Sequence, residues 1–276
     1  MNDIVTGNFA THRLQLWSPA SVRVVDWNID RGLQLPKIAE FLASQEADLL
    51  ILQEVDLNAR RTHRLNIAEE LARKLGMNYV FGREFEELTQ GSRTSAAYHG
   101  QATLSRWRLS NARVIRFQCQ SGFWRPRWYL PRTAPFQERL GGRVALVTHV
   151  EMPGRTLTVY NLHLESRGSD NLRLAQLQEV LDDFGRSPPH DPVLLVGDLN
   201  FDISRGIAAS VVQRAGFRSV FGHSHFHTRP PGKIFASARS IDWALFAGPA
   251  EAAMGQVHAS VSASDHYPIS FTLRFW

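Results

Sequence analysis

Apolar, β-branched runs recur along this chain, and several stop abruptly at an acid, an amide or an imidazole. Val22 to Trp27 runs into Asn28, Ile29, Asp30, Arg31 and Gly32. Asp48 to Gln53 runs into Glu54, Thr156 to Leu164 carries His163 near its end, and Val193 to Val196 runs into Asp198 and Asn200. Each run reads as a buried strand and each polar stop as a turn. Strands interleaved with amphipathic helices must bury their faces under those helices, which confines the chain to α/β architectures.

Helical spacing appears at Leu35 to Ser44, Asn66 to Leu75 (stopped by Gly76), Asn171 to Phe184 and Ile203 to Ala215. Further strands are expected at Tyr98 to Ser105, Ala112 to Phe117, Arg143 to Glu151, Ile241 to Phe246 and Ile269 to Phe275. A turn at Met152 to Arg155 makes a hairpin of its two neighbours. With several strands antiparallel, a layered α/β sandwich is expected rather than a doubly wound parallel sheet. The 276 residues, 43% of them apolar, can fill one core. With no repeat and no linker, a single domain over 1–276 is expected, with its core at about 22–275 and an insertion loop at 120–142.

Other classes fall away. The lone cysteine, Cys119, excludes an internal disulfide and a zinc site built on several thiolates. No run approaches the roughly 20 apolar residues of a membrane span, and Met1 to His12 lacks the apolar core of a signal peptide. A soluble, cytoplasmic protein is expected. The net charge of +5 suits an anionic partner, or simply an arginine-rich surface.

The strand ends carry chemistry. In Gly197-Asp198-Leu199-Asn200, the Asp and Asn share one side of an extended chain, where a carboxylate takes a proton from water and an amide holds a phosphoryl oxygen. The same residues are also ordinary turn formers. Glu54 is a hard-oxygen ligand for Mg²⁺ or a solvated strand end. Asp242 lies inside an apolar strand, where a carboxylate needs a partner. His266, in Ser264-Asp265-His266, can be that partner, with its pKa raised and its second nitrogen free for a phosphate. His163 adds a fifth polar cluster. Each has a bland explanation; five together do not.

Trp27-Asn28, Gln53-Glu54-Val55, Asn161-Leu162-His163, Gly197-Asp198-Leu199-Asn200, Ile241-Asp242 and Ser264-Asp265-His266 occur in that order over nearly the whole chain. The series resembles the endonuclease/exonuclease/phosphatase superfamily. The resemblance implies a four-layer α/β sandwich of the DNase I-like type, with two face-to-face mixed sheets flanked by helices. It implies Mg²⁺ or Mn²⁺ and phosphoester hydrolysis. Glu54 would be the principal metal ligand, with Asn28 and Asp265 near the metal. Asp198 would activate water, and Asn200 would hold the phosphate. His266 with Asp242 would stabilise developing charge, and His163 would contact the phosphate from the other side. Trp27-Asn28-Ile29-Asp30 and His163-Leu164-Glu165-Ser166 are similar to the tyrosyl-DNA phosphodiesterase branch. On that analogy Asp30 stands near the metal or substrate, or else is a turn cap. Gln101 replaces an Asn of another family block and would lie on the substrate side.

Substrate is less constrained. The segment 120–142 mixes Phe123, Trp124, Trp128, Tyr129 and Phe136 with Arg125, Arg127, Arg132 and Arg139. Trp124, Arg125, Arg127 and Trp128 are its candidate substrate contacts. On a nucleic acid, aromatics stack on bases and arginines bind phosphates. For a lipid head group or small phosphoester, the segment would instead contact a membrane surface. Alternatively its aromatics fold back onto the sheet as a lid. A non-catalytic binding module is the remaining class, although every expected catalytic position is filled by a competent residue. No obligate protein partner is inferred.

Overall fold

Period-two patterning decides how the layers stack. Leu49 and Ile51 join one buried cluster, whereas Leu50 and Leu52 of the same strand join another. Leu194 and Val196 likewise separate from Leu195. Alternate side chains leave opposite faces of a strand, so each sheet has one face toward its partner sheet and one toward helices.

The computed structural model describes residues 3–10, 18–124, 127–131, 136, 138–186, 190–222, 224–231 and 237–276. An eight-stranded sheet contains β1 (Ile4–Gly7), β2 (Ser21–Arg31), β3 (Leu49–Leu57), β4 (Asn78–Glu87), β5 (Tyr98–Ser105), β7 (Arg139–Gly141), β13 (Ala250–Val257) and β14 (Ile269–Phe275). Its order is β1-β4-β5-β3-β2-β14-β13, with β7 also paired to β4. A six-stranded sheet runs β11-β12-β10-β9-β8-β6. Its members are β6 (Arg108–Arg116), β8 (Val144–Met152), β9 (Arg155–His163), β10 (Val193–Asp198), β11 (Arg218–Ser219) and β12 (Asp242–Ala247). Helices α1 (Leu35–Ser44) and α2 (Ile67–Leu75) pack on the first sheet. On the second lie α3 (Asp170–Arg186) and α4 (Gly206–Arg214). Between the sheets lies a third cluster that includes Val24, Ile51, Val159, Val196 and Phe271. This is the four-layer DNase I-like sandwich.

Each sheet has one parallel pair, β2 with β3 and β9 with β10, joined through α1 and α3 respectively. Their carboxyl ends deliver Asn28, Glu54, His163 and Asp198. Gln53 and Asn161 bracket the two sheets beneath that end. Gln53 Nε2 donates to Asn161 Oδ1 (2.9 Å), and Asn161 Nδ2 donates to the carbonyls of Leu52 and Ala102 (3.1 Å each).

Several elements differ from expectation. β2 and β3 continue past Trp27 and Gln53 through register shifts at Asn28/Arg31 and Leu52/Val55. Asp30, Arg31 and Glu54 adopt positive φ at these bulges, which re-aim side chains at the strand ends. β1, β4, β11 and β13 have no counterpart in the sequence reading. β13 is rich in Ala, Gly, Met and Gln, which have little strand preference, and its pairing with β14 supplies the order. α4 begins at Gly206, because Asp202 Oδ1 holds the Ser204 amide and hydroxyl in a turn. Within 120–142, Gly122–Trp124 forms a short 3₁₀ turn and Arg139–Gly141 is β7. Among the described residues, no helix is long and apolar enough to cross a membrane.

Candidate active site

Asp198 ends β10 as a buried carboxylate with both oxygens held. Asn28 Nδ2 donates to Oδ2 (3.1 Å), and the Asn200 amide donates to Oδ1 (2.9 Å). The second contact closes a tight turn that puts Asn200 at φ +59, while its Nδ2 reaches the Leu164 carbonyl (3.2 Å). Gly197 is required just before: at φ +136, a Cβ there would lie 2.2 Å from the Leu162 carbonyl of β9.

An imidazole stands on each side of Asp198. His266 Nε2 is 3.8 Å and His163 Nε2 is 3.7 Å from its Oδ2. Behind His266, Asp242 accepts from Nδ1 at 2.9 Å, and the Asp242 amide donates to Thr228 Oγ1 (3.1 Å). Burial would lower the His266 pKa, but the carboxylates of Asp242 and Asp198 outweigh it and push it up to about 10. His266 is therefore an imidazolium at neutral pH.

Behind His163, Glu84 accepts from Nδ1 at 3.1 Å. Arg143 Nη1 donates to Glu84 Oε1 (2.6 Å) and lies 2.8 Å and 2.9 Å from the two ring nitrogens of His163, while Nη2 reaches Ser166 Oγ (2.7 Å). Burial alone would raise the Glu84 carboxyl; His163 and Arg143 reverse this and bring it to about 2. Sequence reasoning missed Glu84 and Arg143. The available signal was an acid embedded between Phe81 and Phe85 in a strand that went unrecognised. Arg143 was counted only as the start of the next strand.

Glu54, Asp30 and Asp265 bring oxygen donors to the same cleft, whose volume is about 430 Å³. The Glu54 side chain is 19% exposed, with Arg31 Nη1 at 3.7 Å and His163 Nε2 at 4.0 Å. Burial raises its pKa, but His99, Arg31 and His163 hold the carboxyl well below the usual range. Arg31 also pairs with Asp30, and Arg229 Nη2 meets Asp265 Oδ2 at 2.8 Å.

The acidic groups differ in how well their chemistry suits a divalent cation. Asp198, Asp242 and His266 are close enough to share an ion, yet hydrogen bonds to Asn28, Asn200 and one another already engage them. A second buried group, Asp56, Glu87 and His99, carries Arg61 on both acids (2.7 and 2.8 Å) and Arg139 on Glu87 (2.8 Å). A cation there would face two guanidiniums. Glu54, Asp30 and Asp265 bring to the cleft partly exposed oxygens of the hard kind that Mg²⁺ and Mn²⁺ favour, although Arg31 on Asp30 and Glu54 and Arg229 on Asp265 compete for them.

Of the residues singled out in sequence, Asp30, Glu54, Trp124, His163, Asp198, Asn200, Asp265 and His266 line the cleft. Asn28 and Asp242 bond directly to members of that group. Gln101 lies elsewhere: it is fully buried between the sheets, its Nε2 donating to the Val144 carbonyl (3.0 Å), so a substrate-side role is corrected to a packing one. Trp124 folds inward, its Nε1 donating to Glu165 Oε1 and Oε2 (3.1 and 3.2 Å), while Phe123, Trp128 and Tyr129 stay exposed. Trp128, 96% exposed, and Arg127 do not line the cleft as described. Arg125 lies outside the described residues.

Comparisons with known proteins bear on the family and the fold. The model of the endonuclease/exonuclease/phosphatase family matches residues 27–266. A solved endonuclease/exonuclease/phosphatase from Beutenbergia cavernae is 19% identical with a TM-score of 0.69, over 93% of this chain and 72% of that one. One from Bacteroides vulgatus is 14% identical with a TM-score of 0.64, over 94% and 100%. A D. rerio TDP2 complexed with single-strand DNA product is 19% identical with a TM-score of 0.60, over 93% and 100%. These likenesses show a shared fold. A search of curated protein sequences returned no match.

Proposed function

Because the chain belongs to the endonuclease/exonuclease/phosphatase family, whose members are metal-dependent phosphoester hydrolases, we propose that it is a Mg²⁺- or Mn²⁺-dependent phosphodiesterase acting on nucleic acid. The observation that carries this reading is Asp198, held by Asn28 and Asn200, between two imidazoles each backed by a buried carboxylate.

Water beside Asp198 gives a proton to the carboxylate while its oxygen attacks phosphorus in line with the leaving oxygen. The P–O ester bond breaks and the leaving oxygen takes a proton from solvent. Cationic His266 and the His163 ring flank the phosphoryl oxygens as charge builds, and Asn200 helps orient them. Asn28 and the Asn200 amide keep the Asp198 carboxylate aimed. Glu54, with Asn28, Asp30 and Asp265 nearby, would hold the cation, which supplies Lewis-acid stabilisation to the phosphoryl and leaving oxygens. No covalent intermediate is needed.

Nucleic acid is favoured by the basic balance and by the arginines around the cleft. A lipid phosphoester is the second reading, because Trp128 and Tyr129 are exposed as membrane-facing aromatics would be. A panel of single-stranded DNA, duplex DNA, RNA, phosphoinositides and sphingomyelin, run with Mg²⁺ or Mn²⁺ and again with chelator, separates them. Chelator-sensitive cleavage of a nucleic acid is expected. Cleavage of lipids alone would overturn the substrate, and no phosphoester cleavage at all would overturn the reading.

A further inference from the structure

Five arginines line the cleft, and four of them are matched to carboxylates: Arg31 to Asp30 and Glu54, Arg139 to Glu87, Arg143 to Glu84 and Arg229 to Asp265. The fifth, Arg167, has no carboxylate at ion-pair distance among the described residues. Its guanidinium carbon lies 4.5 Å from the centroid of the Phe123 ring. Phe123 is 44% exposed, and Phe136, also on the cleft wall, is 56% exposed. An apolar ring and an unmatched cation thus stand together beside the groups that act on phosphorus.

This wall is built rather than incidental. Buried Glu165 lies two residues beyond His163 and accepts from both sides of the wall. Trp124 Nε1 reaches it from one segment, and the Arg167 amide reaches Oε1 at 2.8 Å from the other. The Ser121 amide adds a longer contact to Oε2 (3.3 Å). Trp124 packs 4.9 Å from Phe85 and meets Phe123 edge-on at 4.8 Å, which fixes the Phe123 ring beneath Arg167. Glu179 anchors the preceding segment to α3 through the amides of Gln118 and Cys119 (2.8 and 3.0 Å). Arg173, which sequence alone did not distinguish from Arg167, is spent on the Glu165 carbonyl (2.6 Å) and on Asp170.

We propose that Phe123 and Arg167, positioned by Glu165, form a subsite for the nucleobase next to the scissile phosphate. A base has a π-face for the phenyl ring and for the guanidinium plane, and such stacking tolerates any base. The proposal rests on the nucleic-acid reading above and deepens it: the cleft senses a base, not only a sugar-phosphate backbone.

Isothermal titration of the Mg²⁺-supplemented protein with thymidine 5′-monophosphate and with 2-deoxyribose 5-phosphate tests it. The nucleotide is expected to bind at least about tenfold tighter. Phe123→Ala should remove most of that difference while leaving sugar-phosphate binding as in the wild type, Phe123→Trp should restore it, and Arg167→Gln should weaken both ligands but the nucleotide more, so that the ratio between them falls. Equal binding of the two ligands, binding of neither, or a difference that survives both variants would overturn the subsite. Hydrolysis of an abasic dinucleoside phosphate is measured in parallel. Chelator-sensitive hydrolysis without base discrimination sinks the subsite alone. Base discrimination without any hydrolysis sinks the phosphodiesterase reading alone.

Discussion

Asp242 and Glu84 each accept from the Nδ1 of a cleft histidine, and only one of them was visible in sequence. Asp242 stands out in sequence because it is an acid inside an apolar run, with Ser264-Asp265-His266 further along the chain to supply a partner. Glu84 sits among Arg83, Glu86 and Glu87, where one more acid looks like surface; only the fold buries it against Arg143 and His163. Asp242→Asn keeps an acceptor for His266 but removes the charge that makes it cationic, so hydrolysis is expected to fall by about 10²-fold or more with folding intact, read from steady-state rates and circular dichroism. Glu84→Gln leaves the Arg143 charge buried without its partner and should cost roughly 3 kcal/mol at pH 7 in urea unfolding. The pH dependence has a definite sign. A carboxyl lowered from 4.5 to about 2 stabilises the fold above pH 4.5 and loses that contribution as pH falls toward 2. The gap between wild type and Glu84→Gln should therefore narrow as pH drops below 4.5, and a gap that widened would refute the pairing.

At the scale of elements, what was legible followed from local pattern. α1 and β14 match their expected bounds because Leu35, Ile38 and Leu42 keep one helical face and Ile269, Phe271 and Leu273 keep one strand face. Asn66 caps α2 by accepting from the Glu69 amide (3.3 Å), and Gly76 ends it in the left-handed conformation, both readable from residue type. β7 and β13 were illegible because their order comes from pairing with β4 and β14, not from their own residues. The bulge that turns Glu54 to φ +51 is likewise a product of two neighbouring strands. Gly197 lies where β10 meets β9 with no room for a methyl group. Gly197→Ala is expected to cost at least about 2 kcal/mol in thermal or chemical unfolding, and a neutral effect would contradict the close approach of these strands.

For the molecule as a whole, the superfamily blocks carried both the sandwich and the cleft, because each block lies at or beside one end of a strand: Asp198 ends β10, and Asp242 opens the antiparallel β12 opposite it. Gln101 was misplaced for the same reason. A block match marks a position in the chain, and only the packed sheets show that this position faces Val144 rather than the cleft. The 120–142 segment divides similarly: Trp124 and Phe123 both line the cleft, but Trp124 is buried and Phe123 half-exposed, a distinction that composition does not contain. With a net charge of +5, the protein should hold a polyanion partly by releasing counterions. KM for a single-stranded oligonucleotide is expected to rise several-fold over a roughly fourfold rise in salt while turnover at saturation changes little. A salt-independent KM would point to a small neutral-flanked ester instead.

The central claim is that Asp198, oriented by Asn28 and Asn200 between two acid-backed imidazoles, activates water for metal-dependent attack on phosphorus. Single-turnover hydrolysis of a phosphodiester by wild type and Asp198→Asn, at saturating Mn²⁺ and with Mn²⁺ binding followed separately by electron paramagnetic resonance, tests it most directly. The account predicts a loss of at least about 10²-fold with Mn²⁺ binding retained. Wild-type rates in Asp198→Asn, or undiminished hydrolysis in chelator, would contradict it.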